Sequence, residues 1–159
     1  MVGIVLGALV WRLSRLAVRF RVTNYSMLPT LSPGDRVLVD ELAYRWRAPR
    51  RGEIVVFKNP ERAGAEGIKR VVGLPGERIV LRAGELYVDG RPQAEPYLDG
   101  SSSDCQTHEW LLGEDEYLLL GDNRAASRDS RHFGPVRRGL LRGPALYRYA
   151  PAAVRGRAR

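Results

Sequence analysis

Arg78-Ile79-Val80-Leu81-Arg82-Ala83-Gly84-Glu85-Leu86-Tyr87-Val88-Asp89-Gly90-Arg91 reads as two short strands punctuated twice. Ala83-Gly84 separates the two apolar runs, and Asp89-Gly90 after Tyr87-Val88 is a tight-turn signal. The same rhythm of short apolar runs and breakers extends in both directions. Strands are expected over Arg36–Asp40 after Pro33-Gly34, Glu53–Lys58 after Arg51-Gly52, Ile68–Val72 before Pro75-Gly76, and Tyr117–Leu120 before Gly121. Val18, Phe20 and Val22 alternate with Arg19, Arg21 and Thr23 and read as one more strand. No strong internal helix pattern appears, so the sequence predicts a mostly β protein.

At 159 residues the chain is one domain by size, with room for a small appended lobe. Its 44% hydrophobic and 28% charged residues exclude wholesale disorder. The net charge of +8 suits anionic partners, either nucleic acid or acidic lipid headgroups. Of the 26 basic residues only Lys58 and Lys69 are lysines. Arg stays protonated in proteins, whereas a buried Lys can lose its proton and act as a base, so each lysine here invites inspection. One cysteine, Cys105, excludes an intrachain disulfide and gives no thiolate metal site. His108 and His132 stand far apart and read as surface or loop residues, and no P-loop or GxGxxG supports nucleotide chemistry. No metal or cofactor is implied.

Met1 to Trp11 are almost wholly apolar. Eleven helical residues cover only about 16 Å against roughly 30 Å of bilayer hydrocarbon. Continued to Phe20, a helix would place Arg12, Arg15 and Arg19 on one face and Leu9, Leu13, Leu16 and Phe20 on another. A short anchor with snorkelling arginines, an interfacial amphipathic helix, the end of a longer span and a core-packing helix all fit this pattern. Arg148 to Arg159 carries four Arg and no acid, a basic tail expected to lie in solvent or on a charged surface.

Three segments carry chemistry. Ser26 follows the first strand within Asn24-Tyr25-Ser26-Met27-Leu28-Pro29-Thr30-Leu31, where a hydroxyl can face a cleft. Lys69 lies between Ile68 and Arg70-Val71-Val72; walled by those apolar neighbours, its ammonium loses hydration and its pKa falls. A neutral lysine near Ser26 can take the hydroxyl proton. Its alternative is an ordinary strand lysine facing water. The third segment, Gly121-Asp122-Asn123-Arg124-Ala125-Ala126-Ser127-Arg128-Asp129-Ser130-Arg131-His132-Phe133-Gly134, can order itself by Asx turns and Asp–Arg pairing, as a surface turn cluster or as support for a catalytic amine.

Together, SMLPTL, KRVVGLPGE and GDNRAASRDSRHFG, in that order, closely resemble the boxes of bacterial type I signal peptidases, membrane-bound Ser-Lys endopeptidases. LSPGDRVLVD, RRGEIVVFKNP, LYVDGRPQAEPYL and GPALYRYAP extend the likeness from about Val18 to Pro151. The resemblance implies a coiled β-sheet catalytic domain over 18–151, a reduced cap lobe at about 83–113, a membrane-anchor helix over 1–17 and a basic tail at 152–159. It implies Ser26 as nucleophile, Lys69 as general base and Ser127 as the hydroxyl that holds the lysine. Asp129 and Arg131 match a supporting charged pair, and Gly121 and Asp122 the start of the same box. Val22, Met27, Leu31 and Ile68 match the lining of the pocket for the small residue before the scissile bond. The Ser26 N–H matches one oxyanion donor. Asn24 departs from the hydroxyl residue or glycine found at that position, and its amide can donate as well.

The partners so implied are signal peptides with Ala-X-Ala-type ends and a bilayer with anionic headgroups, with a monomeric chain and no nucleic acid. The implied location is the cytoplasmic membrane, by a single pass or a peripheral anchor, with the catalytic domain outside. The positive-inside tendency, applied to arginines that follow the apolar run, gives the opposite orientation. Two rival readings are a repressor-type self-cleaving Ser-Lys protein and a basic binding module for nucleic acid or membrane. Against the first, Ala-Gly occurs only at 63–64 and 83–84, downstream of Ser26. The second leaves the three boxes unexplained.

Overall fold

The computed structural model describes residues 17–100 and 106–149. All of the expected anchor except residue 17, residues 101–105 and the basic tail from 150 on lie outside the described residues; Arg148 and Tyr149, expected to begin that tail, instead pair in a strand with Val37 and Arg36. Among the described residues no helix is long and apolar enough to cross a membrane.

Two antiparallel sheets carry the chain. The larger contains β1 (Ala17–Arg21), β2 (Arg36–Asp40), β3 (Ile54–Lys58), β4 (Glu66–Gly73), β9 (Glu116–Leu120), β10 (Val136–Arg137) and β11 (Leu141–Tyr149) in the order β1-β2-β11-β3-β4-β9-β10. The smaller contains β5 (Arg78–Arg82), β6 (Glu85–Val88), β7 (Arg91–Pro92) and β8 (His108–Leu111) in the order β7-β6-β5-β8. Residues 78–91 build most of this second sheet. Ala83-Gly84 and Asp89-Gly90 all take positive φ, between 48° and 82°, the backbone that closes two-residue hairpins with the twist of the flanking strands.

Alternation explains which face each strand buries. Ile79 and Leu81 of β5 and Leu86 and Val88 of β6 pack with Val72, Leu112, Leu118 and Leu120. Val37 and Val39 of β2 pack with Val22, Met27, Leu31, Val56 and Ile68. In β3, Val56 joins that core while Val55 and Phe57 point the other way, into one with Tyr44, Val71, Tyr117, Leu119, Val136 and Leu141. A strand buried on both faces reads as a continuous apolar run, here Ile54-Val55-Val56-Phe57.

The structure adds elements that the sequence pattern concealed. β11 lies in the middle of the large sheet, although Gly143 and Pro144 read as breakers. Register shifts between Leu141 and Gly143, and between Ala145 and Tyr147, absorb them as bulges. Gly143 is required there by close approach, since a Cβ would lie 2.1 Å from the Asp40 carbonyl oxygen. Two single-turn helices, α1 (Ala43–Trp46) and α2 (Ser130–Phe133), are too short to show periodicity. His108 lies in β8, stacked on Trp110, and His132 lies in α2, where its ring takes part in a capping box with Asp129. His132 is exposed, as expected of a surface residue, and His108 is half-buried; both lie in regular elements and not in loops.

Candidate active site

Ser26 sits on a turn fixed from three sides. Val22, after β1, exchanges backbone bonds with Asp35 and Gly34, each 2.8 Å. Val22, Met27 and Leu31 are buried in the same core and hold the turn down. From the far side, the Asn123 N–H donates to the Ser26 carbonyl at 3.0 Å, and Asn123 Nδ2 donates to the Tyr25 carbonyl at 3.1 Å. Asn24 Oδ1 accepts from the Ser26 hydroxyl at 2.8 Å and from the Ser26 N–H at 3.2 Å. The Asn24 side chain thus turns its carbonyl oxygen toward Ser26. With the N–H bonded to it, that is the arrangement that satisfies both Ser26 donors.

Lys69 comes from β4. It pairs opposite Val55, and its Nζ lies 2.7 Å from Ser26 Oγ and 2.9 Å from the Ile68 carbonyl. The residue is 4% exposed. Burial lowers the amine pKa from 10.5 to about 8, partly opposed by the nearby Asp129 and Asp122 carboxylates. Nζ donates to both the Ile68 carbonyl and Ser26 Oγ, whose own proton goes to Asn24 Oδ1. β3 pairs with β4 from Glu66 to Arg70, whereas β9 pairs only from Arg70 to Gly73. Residues 66–69 therefore leave one strand edge unpaired in this sheet, beside the dyad.

The third segment packs behind both residues. Gly121 touches the site so closely that a Cβ would lie 2.2 Å from Ser127 Oγ and 2.5 Å from the Ser26 carbonyl oxygen. Its N–H donates to Asp129 Oδ2 at 3.0 Å. Asp129 is fully buried and takes the Arg131 guanidinium in a fork, Nε at 2.9 Å and Nη2 at 3.0 Å. Burial alone would raise its pKa, but the Arg131 bonds and charge together with the Gly121 N–H prevail, and it falls below the usual carboxylate value. Ser127 is buried beside this carboxylate and favours its charged form. Its Oγ meets no full hydrogen-bond geometry, so the expected bond to Lys69 is not made.

Asp122 is held by Arg70, which donates from Nε at 2.8 Å and Nη2 at 2.6 Å, and by the Thr30 hydroxyl. Arg70 and Thr30 were not singled out in the sequence, although Arg70 adjoins the lysine and Thr30 lies in the serine box. Asn123, Arg124, Glu95 and Tyr97 were also missed. Among the described residues no three His, Cys, Asp or Glu side chains gather to hold a metal ion.

A serine hydroxyl against a desolvated lysine, on a mostly β scaffold, is the arrangement of a serine peptidase. Comparison with known proteins agrees: the family model described as "Signal peptidase, peptidase S26" matches residues 1–150. The chain belongs to that family and is an enzyme of the serine peptidase class. It is 38% identical over 137 residues to "Signal peptidase I" of Leptolyngbya laminosa, spanning 82% of this chain and 67% of the relative. It is 38% identical over 133 residues to "Signal peptidase I V" of Bacillus subtilis, spanning 76% and 78%. Against "Probable signal peptidase I-2" of Synechocystis the match spans 62% of the relative. A crystal structure of a signal peptidase I from Enterococcus faecalis superposes with a TM-score of 0.57 at 32% identity, over 63% of this chain and 98% of that one.

Proposed function

We propose that the protein is a signal peptidase I that cuts exported preproteins after small residues, with Ser26 as nucleophile and neutral Lys69 as general base. The 2.7 Å contact between Lys69 Nζ and Ser26 Oγ, in surroundings that lower the amine pKa to about 8, carries the reading. As Ser26 Oγ attacks the scissile carbonyl, its proton passes from the Asn24 side to the Lys69 lone pair. The Ser26 N–H, released from Asn24 Oδ1, donates to the oxyanion. Rotation of the Asn24 amide supplies the second donor. The lysine then protonates the leaving amine, and in the second half takes a proton from the water that hydrolyses the acyl-enzyme ester.

The substrate is an extended peptide added to the unpaired edge of β4 at 66–69, facing the Val22 side. Val22, Met27, Leu31 and Ile68 are at most 3% exposed, packed against one another beneath the nucleophile. A pocket floored by such a closed core is shallow, which suits alanine before the scissile bond. Ser127 acts through its place between Gly121 and Asp129. Asp129–Arg131 and Asp122–Arg70 fix the turn around it. The four-stranded sheet serves as the cap lobe. Residues 1–17 anchor the enzyme, as a single pass or peripherally, in a membrane with anionic headgroups, catalytic face outward. The chain acts as a monomer and binds no nucleic acid.

The test is cleavage of a preprotein with an Ala-X-Ala site by detergent-solubilised chain, with mass spectrometry to locate the cut. A cut after the second Ala, absent in Ser26→Ala and Lys69→Ala, is expected. Cleavage that survives Ser26→Ala refutes the mechanism.

A further inference from the structure

A segment that enters neither the dyad nor the peptide edge makes a closed circuit behind the site. After β7, the Gln93 N–H bonds to the Leu86 carbonyl of β6, and the chain then crosses to the large sheet as Glu95-Pro96-Tyr97. Glu95 forms an ion pair with Arg124, the two side chains 7% and 3% exposed. Arg124 Nε donates to the Gly121 carbonyl at 3.1 Å. The Tyr97 hydroxyl donates to the same Glu95 oxygen. Burial and that bond hold the phenol pKa above its ordinary value, so Tyr97 remains a donor. The face of its ring carries the Arg70 guanidinium, 3.8 Å from the centroid. Arg70 closes the ring on Asp122, next to Gly121.

The circuit joins two places where an ångström matters. Arg70 is the residue after Lys69, on the same strand. Gly121 abuts the Ser26 carbonyl, and Asn123, between Asp122 and Arg124, grips both the Ser26 and the Tyr25 carbonyl. The buried Arg70–Asp122 ion pair ties strand β4 to the loop whose Asn123 grips the nucleophile turn. Glu95 and Tyr97 brace that connection from outside.

Resting on the serine peptidase reading of Ser26 and Lys69, we propose that Glu95 and Tyr97 are positioning residues: they set the distance between base and nucleophile without touching substrate. Loss of the brace lowers the rate of chemistry and spares peptide binding, because residues 66–69 are outside the circuit. It also frees Arg70 from Asp122, whose carboxylate then acts on Lys69 unopposed and favours its charged form.

The experiment measures kcat, KM and the pH dependence of kcat/KM on an Ala-X-Ala preprotein, for full-length parent, Tyr97→Ala, Tyr97→Phe and Glu95→Gln, with a urea unfolding curve for each. Tyr97→Ala is expected to lower kcat about tenfold with KM within about twofold, and to move the acid limb upward in pH. Tyr97→Phe, which keeps the ring over Arg70, is expected to recover most of the rate. Glu95→Gln, which leaves Arg124 without a counter-charge, is expected to behave as Tyr97→Ala does. If Tyr97→Ala does not fold, the other two variants decide. Parental kcat and pH profile in folded Tyr97→Ala or Glu95→Gln overturn the inference, as does a loss confined to KM. A parent that cuts nothing overturns the peptidase reading, whereas a parent and variants that cut alike overturn this inference alone.

Discussion

Replacing Lys69 by Met should make the protein more stable at neutral pH and less stable in alkali. The amine is brought into a site where its pKa is about 8, against 10.5 for an ordinary lysine. That depression corresponds to about 3 kcal/mol of disfavour for the charged form in the folded state. Below pH 8 both folded and unfolded chains hold the proton, and the folded state bears the full cost. Between about 8 and 10.5 the unfolded chain keeps a proton that the folded chain has lost, so stability rises with pH across that window. Above it both are neutral and the cost is gone. Methionine never bears it, but gives up the bonds to Ser26 Oγ and the Ile68 carbonyl, about 1–2 kcal/mol together. The variant should therefore gain about 1–2 kcal/mol at pH 7 and lose about the same near pH 11, a swing of about 3 kcal/mol. Urea unfolding of the detergent-solubilised chain, followed by tryptophan fluorescence at several pH values, measures it. A difference between variant and parent that stays flat from pH 7 to 11 would falsify the claim that Lys69 is desolvated.

The same amine sets the rate profile: the acid limb of kcat/KM should fall near pH 8, where an ordinary lysine would put it above 10. Asp129→Asn, which removes a carboxylate that favours the ammonium, should move that limb to lower pH. It should also cost about 3–5 kcal/mol of stability by removing the buried carboxylate that Arg131 pairs with, read by urea unfolding. Lys69→Arg should leave no measurable cleavage even at high pH, because a guanidinium supplies no lone pair; turnover by this variant would remove the lysine from the chemistry. Gly121→Ala should lower kcat by about a hundredfold or more, since the new methyl collides with Ser127 Oγ and the Ser26 carbonyl. Activity near the parental level there would mean that the turn is freer than its packing indicates.

What the sequence disclosed followed from local chemistry. β2, β5 and β6 begin and end where breakers and alternation put them, because each closes on a turn whose residues set its geometry. Ser26 and Lys69 were legible through their boxes, and the structure brings them into contact. β11 was not, since its Gly143 and Pro144 are tolerated only through bulges against strands about a hundred residues away. Arg70 and Asp122, separated by 52 positions, meet only through the fold. The orientation of Asn24 depends on which Ser26 donors need an acceptor, a question that a residue's identity does not answer.

The position of β11 has a consequence for the enzyme's own synthesis. Ser26 belongs to the β1–β2 half of the large sheet and Lys69 to the β3–β4 half, and β11 is the strand between them. Each half can form as its own hairpin while the ribosome is still at work. The sheet joins them only through residues 141–149, which pair with β2 on one side and β3 on the other. A chain that stops before β11 lacks the strand that lies between the Ser26 half and the Lys69 half of the sheet. By the mechanism proposed above, a chain truncated before β11 should not cleave preproteins.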